Sequence, residues 1–250
     1  LELRDGDKNN FLGKSVLQAV ENVNTTINNN LVGKEIDSQE TLDTVLLEMD
    51  GTANKSELGA NAILGVSLAF AKATAAMSEK PLYDYIAELS GNAPILPRPM
   101  FNIMNGGKHA DWSTDIQEFM IIVENRTYSE QLRAGSEIFL HLGKLLKSKN
   151  MNVNIGNEGG YAPGFSSNEE AFEVISEAID NAGYELGKDI FFGLDIAATE
   201  FFDADRGVYK LMTEDRELTR QEWMDEIGTW IEKYPFLSIE DPFGEDDWGM

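Results

Sequence analysis

Ile190-Phe191-Phe192-Gly193-Leu194-Asp195 is a short apolar run rich in strand formers that ends on an acid. Working outward, the same design recurs. Phe236-Leu237-Ser238-Ile239 is followed by Glu240, and Met151-Asn152-Val153-Asn154-Ile155-Gly156 is followed by Glu158. Amphipathic stretches separate these runs. Residues 169–183 place Ala171, Phe172, Ile175, Ala178, Ile179 and Ala182 on one helical face, and residues 219–233 place Trp223, Ile227, Trp230 and Ile231 on another. Strands alternating with such helices predict a parallel sheet and the beginning of a (βα) barrel, where loops at the strand C-termini build the site. Three acids on one rim, Glu158, Asp195 and Glu240, suggest a bound cation and acid–base chemistry. The competing reading is three solvated loop acids in a chain with 44 Asp and Glu.

Upstream, Tyr128 to Lys149 reads as a helix, and Met100–Met104 and Gln117–Val123 read as extended segments joined by a polar loop. Pro94, Pro97 and Pro99 break the pattern and predict a boundary between a first domain, 1–92, and a second, 97–250. The first ninety residues read as largely helical. A helix over 14–30 is expected to bury Val16, Val20, Val23 and Ile27. A second is capped by Ser38, carries Leu42, Val45, Leu46 and Met49, and stops at Asp50-Gly51. The apolar run Leu58 to Met77 reads as a buried helix over 57–78 rather than a membrane span, and Leu82–Leu89 as a shorter helix. Phe201 to Leu211 is expected to form a hairpin around Asp205-Arg206-Gly207. A complete eight-stranded barrel takes about 250 residues by itself, so the barrel that starts near Pro97 is expected to be unfinished. The chain begins at Leu1 rather than Met and stops at Met250 just past a strand, so both ends read as cut.

Composition narrows the function. The formal net charge is −24, which disfavours nucleic-acid or anionic-membrane binding through a basic patch. There is no cysteine, which excludes disulfides, thiolate metal sites and a cysteine nucleophile, and fits a reducing compartment. The two histidines, His109 and His141, are too few for a multi-histidine centre, so a metal here is expected to be oxygen-ligated: Mg²⁺, Mn²⁺ or Ca²⁺. His141 lies inside a helix and reads as structural. His109 lies in the glycine-rich turn Asn105-Gly106-Gly107-Lys108-His109-Ala110, where it could contact an anion or move a proton. Gln117-Glu118-Phe119-Met120 places an acid, Glu118, in an otherwise apolar strand. Glu158 sits against Gly159-Gly160, and an acid so held can have its pKa raised enough to act as a general acid.

Taken together, these strings resemble the enolase family, the phosphopyruvate hydratases. The matching blocks are Gly51-Thr52 with Asn54-Lys55-Ser56, Leu58 to Ala69, Lys80 to Tyr83, Asn105 to Ala110, Gln117 to Met120, Glu158 to Pro163, Gly193 to Phe201, and Ser238 to Pro242 with Glu245-Asp246-Asp247-Trp248. They follow the family's order along the whole chain. The resemblance implies a partial α+β N-terminal domain followed by an incomplete TIM-like barrel that opens with two strands and two helices. It implies the reversible dehydration of 2-phosphoglycerate to phosphoenolpyruvate in glycolysis, a cytoplasmic lyase, a pair of Mg²⁺ ions, and a homodimer or homo-octamer. By the same resemblance Glu158 donates the proton to the leaving hydroxyl and Glu118 supports that proton chemistry and substrate binding. His109 contacts substrate, and Asp195 and Glu240 ligate Mg²⁺, Glu240 also meeting substrate.

The chain departs from the family pattern at Asn157, where Asp is usual, and at Lys108, where Ser is common; Lys108 could add a cation near an anionic substrate. The resemblance places a flexible serine-bearing loop before Leu1, and a further metal-ligating Asp, the lysine base and an Arg-Ser phosphate pair beyond Met250. These 250 residues alone are therefore expected to be inactive. Other expectations compete. One is another dehydratase or a cycloisomerase of the same superfamily. Another is a surface role, because enolases of many organisms are reported to bind plasminogen, some through a stretch that corresponds to Phe201–Tyr209. The alternative for that stretch is a plain hairpin between two βα units.

Overall fold

The computed structural model describes residues 1–124 and 126–249, the side chain of His109 excepted. The chain divides into two compact units, Leu1–Leu96 and Pro97–Met250. Each has its own core.

In the first unit the described residues form helices and no strand. Helix α1 (Leu17–Asn22) runs through a π-helical turn, Val23–Ile27, into α2 (Asn28–Leu31). That turn changes which residues face inward. A π turn adds a residue per loop of helix, so the 3.6-residue stripe breaks. Ala19, Asn22 and Ile27 are buried, whereas Val20, expected inside, is exposed. Helix α3 (Gln39–Asp50) starts on Ser38, whose hydroxyl accepts from the Thr41 N–H, and ends at Gly51, whose left-handed φ of 68° few other residues adopt cheaply. Its Leu42 and Leu46 meet Ala19, Ile27, Leu58 and Ala62 in the core.

Helix α4 (Ala60–Met77) differs from expectation. By length and composition alone it could cross a membrane. Its apolar residues run all round, and only an alanine stripe, Ala62, Ala71 and Ala75, is buried, while Leu64 and Leu68 are exposed. Helix α5 (Leu82–Ser90) closes the unit and packs against α4.

The second unit opens with β1 (Met100–Asn105), a 3₁₀ turn at Gly107–Ala110, β2 (Glu118–Val123), α6 (Tyr128–Ser148) and α7 (Asn168–Asn181). There follow β3 (Ile190–Asp195), a small antiparallel sheet of β4 (Phe202–Asp203), β5 (Val208–Leu211) and β6 (Arg216–Thr219), then α8 (Arg220–Lys233) and β7 (Phe236–Glu240). Helices α6 and α8 begin on reciprocal capping boxes, Thr127 with Glu130 and Thr219 with Glu222. The main sheet runs β1-β2-β3-β7 and does not close on itself. β2 is antiparallel to both β1 and β3, and only β3 and β7 pair in parallel, so the sheet is mixed rather than all-parallel. All of Phe119 to Val123 is buried, the mark of a strand covered on both faces.

The expected strand over 151–156 does not form. Asn152 turns its side-chain oxygen onto the Asn154 N–H, and Asn154 and Gly156 bond to Ala162 and Gly160 instead of to a neighbouring strand. Asparagine side chains compete for the backbone groups that a ladder needs. Tyr161, from the far side of this turn, bonds both ways to β1 through Ile103 and Asn105. The hairpin at Phe201–Leu211 forms and, beyond expectation, gains a third strand, β6. In it Arg206 pairs with Glu217 at 2.6 Å and Lys210 with Asp203 at 2.7 Å.

The core between the main sheet and α6–α8 is aromatic. Phe172 of α7 is fully buried and touches the rings of Phe119, Phe192, Trp230, Tyr234 and Phe236, with centroids 4.8–5.7 Å away. Trp223 of α8 is likewise buried and donates its indole N–H to the Pro242 carbonyl at 2.7 Å. That bond holds the segment after β7 against α8.

Candidate active site

The register of the main sheet lines four side chains up in one row. Asn105 pairs with Glu118, Glu118 with Asp195, and Asp195 with Glu240. Directly opposed residues stand about 4.5–5.5 Å apart at Cβ, and like charges so placed repel. Sheet formation thus forces three carboxylates side by side at one rim. A sheet selected for stability alone would avoid this arrangement.

Glu158 joins the row from the Gly156–Gly160 turn. It shares a hydrogen bond with Glu118. Its Oε2 also accepts from the side-chain amides of Asn105 at 3.1 Å and Asn102 at 3.4 Å. A bond between two carboxyls needs one proton. Burial, then the bond to Glu158, then the charges of Glu158, Asp195 and Glu240 push the Glu118 carboxyl up to about 8, so the Glu118–Glu158 pair holds that proton. Asp195 is also raised, first by burial and next by the charge of Glu240. The Ala197 N–H at 3.0 Å and the Gln117 amide at 3.0 Å hold its two oxygens and pull the other way.

The sign of the Glu118 effect on stability follows from linkage. The folded protein binds this proton more tightly than the unfolded chain, whose carboxyl titrates near 4.5. The stabilisation is complete below about 4.5 and is lost as pH rises through about 8. Glu118→Gln is therefore expected to melt progressively higher than wild type as pH rises across that window. Thermal scans in chelator at pH 4.5 and 8.5 check this; an equal gap at both pH values would contradict the assignment.

His109 lies on the 3₁₀ turn beside the row, but its side chain is outside the described residues. Lys108 turns to Glu200, with Nζ 3.0 Å from Oε2, so its charge is already paired. Asn157 is exposed. Asn105, Gln117 and Asp115 make contacts here that the sequence does not announce. Gln117 sits one residue before Glu118, and its amide reaches Asp195. Asp115 is buried and accepts from the Asn168 amide at 2.9 Å and the Thr213 N–H at 3.0 Å, which fixes the loop between β1 and β2. Among so many acids nothing in the sequence marks Asp115 out.

The donor set fits a hard divalent cation. Asp195 and Glu240 are neighbouring oxygen donors whose charges oppose each other, and a cation would relieve that repulsion. Among the described residues no group of three or more His, Asp or Glu side chains is placed to hold a metal. Mg²⁺ is commonly bound by one or two carboxylates, with water and substrate oxygens completing its shell.

Two family descriptions match the chain. "Enolase, N-terminal domain" covers residues 1–86 and "Enolase, C-terminal TIM barrel domain" covers residues 93–250. With an open mixed sheet that begins β-β-α-α and carries its acids on one rim, the chain belongs to the enolase family.

Proposed function

We propose that the protein is a Mg²⁺-dependent enolase that interconverts 2-phosphoglycerate with phosphoenolpyruvate and water. The observation that carries this reading is the row Glu118–Asp195–Glu240 with Glu158 bonded to Glu118. The reaction removes a weakly acidic proton α to a carboxylate and expels hydroxide from the next carbon. One end of the row suits each need. Asp195 and Glu240 would hold Mg²⁺, which supplies positive charge where negative charge builds up. Glu158 and Glu118 form a carboxyl pair that holds a proton near neutral pH, as a general acid for a departing hydroxide must. Glu158 delivers the proton, and Glu118 stores and returns it. His109 on its turn contacts the substrate.

The test is phosphoenolpyruvate formation by the full-length protein, followed by ultraviolet absorbance. Turnover is expected with Mg²⁺, with loss in excess EDTA and recovery on adding Mg²⁺ back. No product from 2-phosphoglycerate would overturn the substrate assignment. Undiminished turnover in EDTA would overturn the metal assignment.

A further inference from the structure

The Asn105 side chain joins three parts of the site. It is fully buried at the tip of β1. Its Oδ1 accepts from the Gly160 N–H at 2.8 Å, while its Nδ2 donates to Glu158 Oε2 at 3.1 Å and to the Gln117 carbonyl at 3.4 Å. One amide thus ties the Gly156–Gly160 turn, the Glu158 carboxylate and the residue before Glu118. The pattern requires both an acceptor and a donor, which among side chains of this length only asparagine supplies without taking up a proton.

The turn is shaped to admit it. A Cβ on Gly156 would lie 2.8 Å from Asn105 Cβ, and one on Gly160 would lie 2.9 Å from Asn105 Oδ1 and 2.7 Å from the Met104 nitrogen. Such distances leave no room for a side chain, so the turn closes onto the amide through its glycines. Glu158 itself is exposed, on a turn without a ladder. A carboxylate so placed needs a fixed partner to stay against Glu118.

We infer that Asn105 is a positioning residue: its buried amide clamps the Gly156–Gly160 turn and aims Glu158 at the substrate hydroxyl. Asn102, at 3.4 Å from the same oxygen, is a weaker second strut. The inference rests on the reading of Glu158 as proton donor in the proposed reaction. Proton transfer is sensitive to placement, and a displacement of about 1 Å can cost about 10²-fold.

The consequence is selective. Removal of the C-2 proton does not use Glu158, whereas loss of hydroxide does. In deuterated water, proton NMR follows exchange at C-2 of 2-phosphoglycerate alongside product formation. Asn105→Asp keeps the size of the side chain and the acceptor for Gly160 and, once ionised, replaces the donor to Glu158 with a repelling oxygen, so the comparison is made at alkaline pH. The variant is expected to lower kcat about 10²-fold with KM within about threefold, while C-2 exchange stays within about threefold of wild type. A merely structural lesion lowers exchange and turnover alike, and that result, or unchanged kcat, would overturn the inference.

Hydrogen exchange at the Gly160 amide supplies a measurement free of catalysis. It is expected to be slow in wild type and Asn105→Asp and fast in Asn105→Ala. Fast exchange in the wild type overturns the clamp even if no variant folds. A wild type that neither exchanges C-2 nor forms product refutes the proposed reaction, while the Gly160 amide still reports on the clamp.

Discussion

Glu158→Gln is expected to lower kcat by about 10²–10⁴-fold, the range typical of a general acid, with Mg²⁺ affinity close to wild type. Glutamine keeps the shape of the side chain and still accepts from Asn102 and Asn105, but it cannot deliver a proton. Glu158 approaches the row through Glu118, whereas Asp195 and Glu240 form its other end. Asp195→Asn is the contrasting variant: it removes charge from the cation end and should weaken Mg²⁺ binding while leaving the Glu118–Glu158 pair in place. Steady-state turnover with calorimetric titration of Mg²⁺ separates the two. Wild-type turnover in Glu158→Gln would assign the acid elsewhere.

Phe172→Ala is expected to destabilise the protein by about 3–5 kcal/mol, the cost typical of emptying a buried aromatic position. Phe172 is fully buried and meets five other rings, contributed by β2, β3, β7, α8 and the residue after α8. Neighbours fixed from so many elements cannot collapse together into the space, so the cavity persists. Urea unfolding followed by tryptophan fluorescence reads the effect through Trp223 and Trp230. A loss under about 1 kcal/mol would show that the aromatic cluster repacks.

Much of this fold is written in local chemistry. Ser38 caps α3 and Gly51 stops it, and the apolar runs at 190–194 and 236–239 form strands. In each case the decisive residues are neighbours in sequence. What escaped the sequence was of two kinds: local bonding that a strand or helix pattern hides, and partners far along the chain. The asparagines of 151–156 look compatible with a strand until they are seen bonding to their own turn. The π turn at 23–27 rotates a stripe that periodicity alone places wrongly. Glu118, Glu158, Asp195 and Glu240 were legible because acids beside glycines and strand tips are locally conspicuous. Asn105, Gln117 and Asp115 were not, because an amide or acid in a loop gains its meaning from what it touches 50 or more residues away, as Asn105 touches Glu158 and Asp115 touches Asn168.

The order of strands in the main sheet also has a kinetic consequence. β1 and β2 are joined by a short connection and can pair early, since closing a small loop loses little chain entropy. β7 must instead find β3 across the whole of 196–235, which holds the small sheet and α8. Non-local parallel pairing of this kind is slow, and it is the step that brings Glu240 beside Asp195. The mutual repulsion of the acidic rim therefore falls on a slow, non-local pairing. Ions that screen or bind those carboxylates would act mainly on how fast β7 docks and how rarely it lets go.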